Sequence, residues 1–207
     1  MVYAVDVDLS APITDVIPGH RGVVLAVLLR LREPVTGREL AAQAGVPPAT
    51  ARRIIDDLAE AGLVDLRPAG RAIGVRLNRQ HLAVPALEQL AAMRALLIER
   101  LRASISAWCF PAAAAWMFGS AARGDGDRHS DIDLVVVALG EKSDAWETQT
   151  GDLASLIRTS TGNDVQVLDY SKREFRKLVS VANPLIRSLR EDGVELVDGS
   201  SMLLRKR

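Results

Sequence analysis

Two carboxylates one residue apart, at the mouth of an apolar run, constrain this chain more than any other feature. An apolar stretch from Ala112 ends in Phe118-Gly119-Ser120, ten residues follow, and Asp131-Ile132-Asp133-Leu134 then continues into Val135, Val136 and Val137. The intervening segment is polar and carries Arg123, Asp125, Asp127, Arg128, His129 and Ser130. This reads as strand, tight glycine turn, short helix or loop, strand.

Side chains alternate along a strand, so Asp131 and Asp133 share one face while Ile132 and Leu134 take the other. The two carboxylates lie about 7 Å apart along the chain, and like charges held together are costly without a cation. Hard oxygen ligands of this kind suit Mg²⁺ (or Mn²⁺), whose coordination is commonly completed by water and substrate phosphates. Gly119 permits close approach of a ligand to backbone, and N–H groups at a following helix start can hold anions. Cation ligands and a phosphate cradle thus meet, which equips a site for phosphoryl or nucleotidyl transfer.

The pattern of an apolar residue, Gly119-Ser120, ten residues and then Asp-x-Asp resembles the polymerase-beta-like nucleotidyltransferase superfamily. The fuller string Gly119-Ser120-Ala121-Ala122-Arg123-Gly124-Asp125, with Ser130-Asp131-Ile132-Asp133-Leu134, is similar to its minimal bacterial branch. That resemblance implies that Gly119 and Ser120 hold the triphosphate of an NTP, with Arg123 and Ser130 beside them. It also implies that Asp131 and Asp133 bind Mg²⁺ and are the catalytic pair.

Superfamily members also carry a third acidic residue on a neighbouring strand, which shares the metals and helps deprotonate the attacking hydroxyl. The matching strand here is Asp164-Val165-Gln166-Val167-Leu168-Asp169, and the matching position is Gln166. An amide oxygen ligates Mg²⁺ weakly and cannot accept a proton as a base. Asp164 shares the Gln166 face at about 6.6 Å along the strand and is the nearby substitute; His129, in the loop before Asp131, is the other candidate.

The N-terminal half carries a different signature. Val23 to Leu31 reads as an apolar-rich helix stopped near Pro34. Thr36-Gly37-Arg38-Glu39 forms a capping box for a helix from Gly37 to Ala44 that ends at Gly45. Pro47-Pro48 restarts a third helix, ended by Gly62, and Leu63–Leu66 and Ala72–Leu77 alternate as strands around a turn-rich tip. Three helices and a β-ribbon resemble the winged helix-turn-helix of bacterial transcription regulators. On the third helix Ala51, Ile54, Ile55 and Leu58 form the core stripe. Ala49, Thr50, Arg52 and Arg53 therefore stand where a recognition helix meets double-stranded DNA. Arg67, Arg71 and Arg76 on the wing are the expected backbone or minor-groove contacts.

From Leu82 onward, Leu87, Leu90, Leu97, Leu101, Ile105 and Trp108 recur at near-heptad intervals, predicting one long helix, with Pro85 as a point of bending, that links the domains. Its apolar stripe either packs on the transferase domain or pairs two copies as a homodimer, and the homodimer is the leading expectation. Beyond the carboxylate motif the pattern predicts helices from Ala145 to Arg158, Ser171 to Val179 and Pro184 to Glu191, with strands at Val165–Leu168 and Val194–Val197. The expected fold class is α+β: an arm over 1–20, a winged helix-turn-helix over 21–80, the linker helix over 81–108 and a nucleotidyltransferase fold with a small mixed sheet over 109–207.

The 207 residues are enough for two small cores. Formal net charge is zero, so any attraction for nucleic acid must come from a local patch. The single cysteine, Cys109, excludes an internal disulfide framework and is expected in the core. No charged-then-apolar leader and no apolar run long enough for a membrane span is evident, so the expectation is cytoplasmic, with no membrane. The leading functional expectation is a DNA-binding protein with a Mg²⁺-dependent nucleotidyltransferase domain moving NMP from NTP to an unknown hydroxyl. The alternative is a transcriptional regulator, antitoxin-like in a two-protein toxin–antitoxin module, whose degenerate transferase domain senses nucleotide or docks a partner protein.

Overall fold

The computed structural model describes residues 6–69, 72–181 and 183–205. It divides into two compact units, one spanning Ala11–Met93 and the other formed by Arg94 onward together with the residues up to Ser10.

The first unit contains α1 (Pro12–Val16), α2 (His20–Arg30), β1 (Val35–Thr36), α3 (Gly37–Ala44), α4 (Pro48–Glu60), β2 (Val64–Ala69), β3 (Ala72–Leu77) and α5 (Val84–Ala91). The Thr36–Glu39 capping box is formed in both directions, and Gly45 closes α3 in the left-handed conformation at φ 62°. An N-cap of this type is worth about 1 kcal/mol, enough to fix where a short helix starts. Ala51, Ile54, Ile55 and Leu58 of α4 are all buried, with Val24, Leu25 and Leu28 of α2 and Leu40 of α3 in the same core. The sheet order is β1-β3-β2, so the expected ribbon gains a third, two-residue strand. The stretch expected as an arm or edge strand holds α1, whose Ile13 is buried in this core. Its proline at the first helical position, tolerated there because that N–H has no partner in any case, is the local reason for the helix.

The single linker helix is corrected. Hydrogen bonding of α5 ends at Ala92 (φ −93°, ψ 12°), and α6 (Met93–Ser106) begins at once. Leu87 and Leu90 pack on the first core, whereas Leu97, Leu101 and Ile105 are buried in the second. Each half of the apolar stripe packs inside its own unit, which is the intramolecular role that the sequence left open beside pairing of two copies.

The second unit continues with β4 (Ala112–Phe118), α7 (Gly119–Arg123), β5 (Ile132–Ala138), α8 (Asp144–Thr161), β6 (Val165–Ser171), α9 (Lys172–Ser180), α10 (Pro184–Glu191), β7 (Val194–Glu195) and a terminal 3-10 turn at Ser200–Leu204. Sheet order is β6-β5-β4-β7, with β5 parallel to β6 and the other pairs antiparallel. Apolar residues on both strand faces explain why both are covered. Ala115, Met117, Ile132, Leu134 and Val136 meet α6 and α8. Ala114, Trp116, Val135 and Val137 meet α9 and α10, where Trp116 stacks on Phe175 at 5.4 Å.

Cys109 is exposed rather than buried. It sits in the turn between α6 and β4, where Trp108 instead turns inward and meets Trp146 edge-on at 5.3 Å. No helix among the described residues is long and apolar enough to cross a membrane.

Candidate functional site

The motif that dominates the sequence occupies one end of the second unit's sheet. β4 ends at Phe118, Gly119 turns the chain with φ 71°, and α7 starts there. Phe118 is the register partner of Asp133 on β5. The Asp133 carboxylate reaches back over the turn: a Cβ added at Gly119 would meet Asp133 Oδ2 at 2.6 Å. Only glycine accommodates both that conformation and that approach.

Asp131 is exposed just ahead of β5, and Asp133 is partly buried. Burial, and secondarily the Asp131 charge, push the Asp133 carboxyl above its ordinary value. This is the electrostatic condition that a bound cation relieves. The donor set therefore fits a hard divalent cation at Asp131 and Asp133, with no more than two acidic side chains to offer. Among the described residues no group of three or more acidic, histidine or cysteine side chains is placed to share a metal.

In the parallel β5–β6 pair the register partner of Gln166 is Asp133, and the Gln166 side chain is exposed. The exposed Asp164 carboxylate lies 3.0 Å from Arg158, and among the described residues it forms no three-acid group with Asp131 and Asp133. His129 is an exposed loop residue whose Nδ1 lies 3.4 Å from Asp6.

The remaining candidates are engaged in holding the loop. Ser130 Oγ accepts from the Asp127 N–H at 2.8 Å and contacts Asp127 Oδ1 at 3.1 Å. Arg123 is bound by Asp125 at 2.9 Å and lies 3.5 Å from Asp192, so its charge is largely compensated within the fold. The Ser120 carbonyl accepts from the Gly124 N–H, which winds α7 into a single tight turn.

Two residues that sequence reading passed over shape this end of the sheet. Arg94 donates to the carbonyls of Ala121 (2.7 Å) and Ala122, capping the orphan acceptors at the end of α7. Buried Asn163 donates to the carbonyls of Val7, Arg128 and Ser130, each at 3.2 Å, and so pins the loop that delivers Asp131. The pair Gly162-Asn163 looks like an ordinary turn in sequence, and no local signal marks its long-range partners.

In the first unit, Ala49, Arg52 and Arg53 are exposed on α4 and Thr50 is half-buried. Arg52 approaches Asp56 at 3.5 Å, while Arg53 has no ion-pair or hydrogen-bond partner among the described residues. A hollow of about 350 Å³ separates the start of α4 from the wing, lined by Arg38, Arg52, Ile55, Leu66 and Ile73 among others. Arg67 and Arg76 lie on the opposite face of the ribbon, and Arg76 is paired with Asp65 at 3.0 Å. Arg71 lies outside the described residues, as do Lys206 and Arg207 of the basic tail.

Residues 110–187 match the family model described as polymerase beta, nucleotidyltransferase. Residues 23–68 match the one described as the IclR helix-turn-helix domain. No curated protein matches the chain. Among solved structures, a toxin–antitoxin crystal structure with AMP-PNP is 20% identical, covering 53% of this chain and 79% of the other at TM-score 0.36. A mutant of the toxin–antitoxin pair MntA-HpeT is also 20% identical, covering 54% and 80% at TM-score 0.36. RV1404 from Mycobacterium tuberculosis is 25% identical, covering 44% and 68% at TM-score 0.34. The chain thus joins an IclR-type helix-turn-helix domain to a nucleotidyltransferase domain of the polymerase beta family.

Proposed function

We propose that the chain is a DNA-binding protein whose C-terminal domain takes up an NTP with Mg²⁺ and transfers NMP to a hydroxyl acceptor. The approach of Asp133 to Gly119 carries this reading. It sets one of the two carboxylates directly over the glycine turn that opens α7. Asp131 and Asp133 would hold the cation, and Gly119 and Ser120 the phosphates. When bound, the cation neutralises charge on the phosphates and polarises the α-phosphorus. In the transfer the acceptor oxygen bonds to that phosphorus, the bond to the β-phosphate bridge breaks, pyrophosphate leaves, and the hydroxyl proton passes to a base.

The last requirement is where Gln166 matters. An amide beside Asp133 accepts no proton, which favours a second reading: a regulator whose transferase-fold domain binds nucleotide as a signal or docks a partner protein, as the antitoxin half of a two-protein module would. One experiment separates the readings. The protein is incubated with each labelled NTP, Mg²⁺ or Mn²⁺ and cell extract, beside an Asp131→Asn/Asp133→Asn variant. Label transfer lost in the variant supports the enzyme. Silence in both, with NTP-dependent change in DNA affinity, supports the sensor. No NTP uptake by calorimetry with either cation overturns the transferase and the nucleotide sensor alike and leaves partner docking as the domain's role.

A further inference from the structure

Arginines of the helix-turn-helix unit line hollows on both sides of the wing. Strand alternation sends Leu66 and Ile73 toward the hollow shared with Arg38 and Arg52, and sends Asp65, Arg67 and Arg76 to the opposite face. On that far face Arg67 and Arg76 share one depression, of about 460 Å³, with Arg32 and Arg79. Arg32 and Arg79 also line a second depression, of about 480 Å³, with Arg30 from the end of α2. The two hollows therefore adjoin as one strip along Arg32 and Arg79.

The acidic side chains of this strip are already committed. Asp65 pairs with Arg76 at 3.0 Å and Glu88 with Arg79 at 2.7 Å. Arg79 is held further by the carbonyls of Leu29 (3.1 Å) and Leu31 (3.2 Å), which makes it a fixed wall between the hollows. Arg30, Arg32 and Arg67 have no ion-pair or hydrogen-bond partner among the described residues. Glu33, the acid next to Arg32 in sequence, lines neither hollow. Three uncompensated guanidinium groups on an otherwise satisfied surface suit a row of phosphates, since each planar guanidinium can donate two hydrogen bonds to the oxygens of one phosphate.

We infer that the far face of the wing, through Arg30, Arg32 and Arg67, binds the phosphate backbone of duplex DNA flanking the segment read by α4. The inference rests on the DNA-binding reading of this unit and extends its footprint past the ribbon. A duplex is the occupant because the strip shares its ribbon with the face turned to α4 and continues the positive charge around it. These contacts carry phosphate recognition and no base readout.

The test measures binding of random-sequence duplexes of about 15 and about 30 base pairs, roughly one and a half and three helical turns, across a salt series. Each phosphate neutralised contributes about 0.9 to the slope of log K against log salt. The double variant Arg30→Gln/Arg32→Gln should lower the slope on the longer duplex by about 1.8 and leave the shorter one little changed. Arg30→Lys/Arg32→Lys should restore the slope, and circular dichroism spectra should superimpose for all three proteins. Arg53→Ala should weaken both duplexes alike. An unchanged slope on the longer duplex, with wild type binding normally, overturns the inference alone. No binding of either duplex by wild type overturns the DNA-binding reading beneath it.

Discussion

Gln166 stands beside Asp133 as its register partner across the parallel β5–β6 pair, and both side chains leave the same face of the sheet. The position is therefore one where a carboxylate would share a cation with Asp133. Gln166→Glu should raise Mn²⁺ affinity by calorimetry and, on the transferase reading, accelerate label transfer by about 10²-fold. In chelator the same variant should melt lower than wild type, because a third negative charge joins two that already repel. Unchanged cation affinity would show that the β6 face does not reach the cation.

Gly119→Ala tests the turn. The added methyl would meet Asp133 Oδ2 at 2.6 Å on a backbone at φ 71°, and a non-glycine residue in that region costs of order 1–3 kcal/mol. Denaturant unfolding should report a loss of this size, and NTP binding should fall with it. Gly140→Ala is the control, since nothing lies within 4 Å of its added Cβ and its φ is not in the left-handed region. Equal behaviour of the two variants would place Asp133 elsewhere.

Asp133→Asn removes a charge that burial and Asp131 both disfavour. In chelator at neutral pH the variant should melt above wild type. Added Mg²⁺ or Mn²⁺ should narrow the gap by stabilising wild type alone, through binding to the folded state. A gap indifferent to divalent cations would remove the reason for seating one between Asp131 and Asp133.

Much of this arrangement was legible because it is encoded locally. The alternation around Asp131 and Asp133 and the α4 core stripe follow from periods of two and 3.6 residues, and the capping box at Thr36 from its Thr-x-x-Glu spacing, as the structure has them. The interest of Gln166 comes from the family resemblance, and its register partner is Asp133. The long linker helix misled for a physical reason. Leu87 and Leu90 serve one core and Leu97, Leu101 and Ile105 another, yet both stripes keep helical spacing, and the break at Ala92 lies between good helix formers with no glycine or proline to mark it. Arg94 and Asn163 were invisible because their hydrogen-bond partners lie far along the chain, up to 156 residues away for Asn163. The compensation of Arg123 by Asp192 is of the same long-range kind.

The two capping boxes make a pH prediction. Glu39 and Glu174 are each held below the ordinary carboxyl value, chiefly by the backbone N–H of Thr36 or Ser171 and then by its hydroxyl. A depressed folded value means that the unfolded chain takes up the proton first. The stabilisation is thus complete above the ordinary value of 4.5 and disappears as pH falls through the lower folded values. Melting curves of Glu39→Gln and Glu174→Gln should lie below wild type at neutral pH and converge on it in acid. A constant offset from pH 7 to acid would mean that the lost contribution is not that of the ionised carboxylates.

Arg53 and Arg52 are neighbours on α4 with different freedom. Arg52 has Asp56 within 3.5 Å, whereas Arg53 is unpaired among the described residues. If Arg53 reads a base edge, Arg53→Ala should cost about 1–3 kcal/mol against the preferred sequence, found by selection from a random pool, and much less against random duplex. Arg52→Ala should cost less, since part of its charge is already met within the helix. Equal losses on selected and random duplex would limit Arg53 to a phosphate contact. Base readout would then fall to Ala49, Thr50 and Arg52, which also stand unburied near the start of α4.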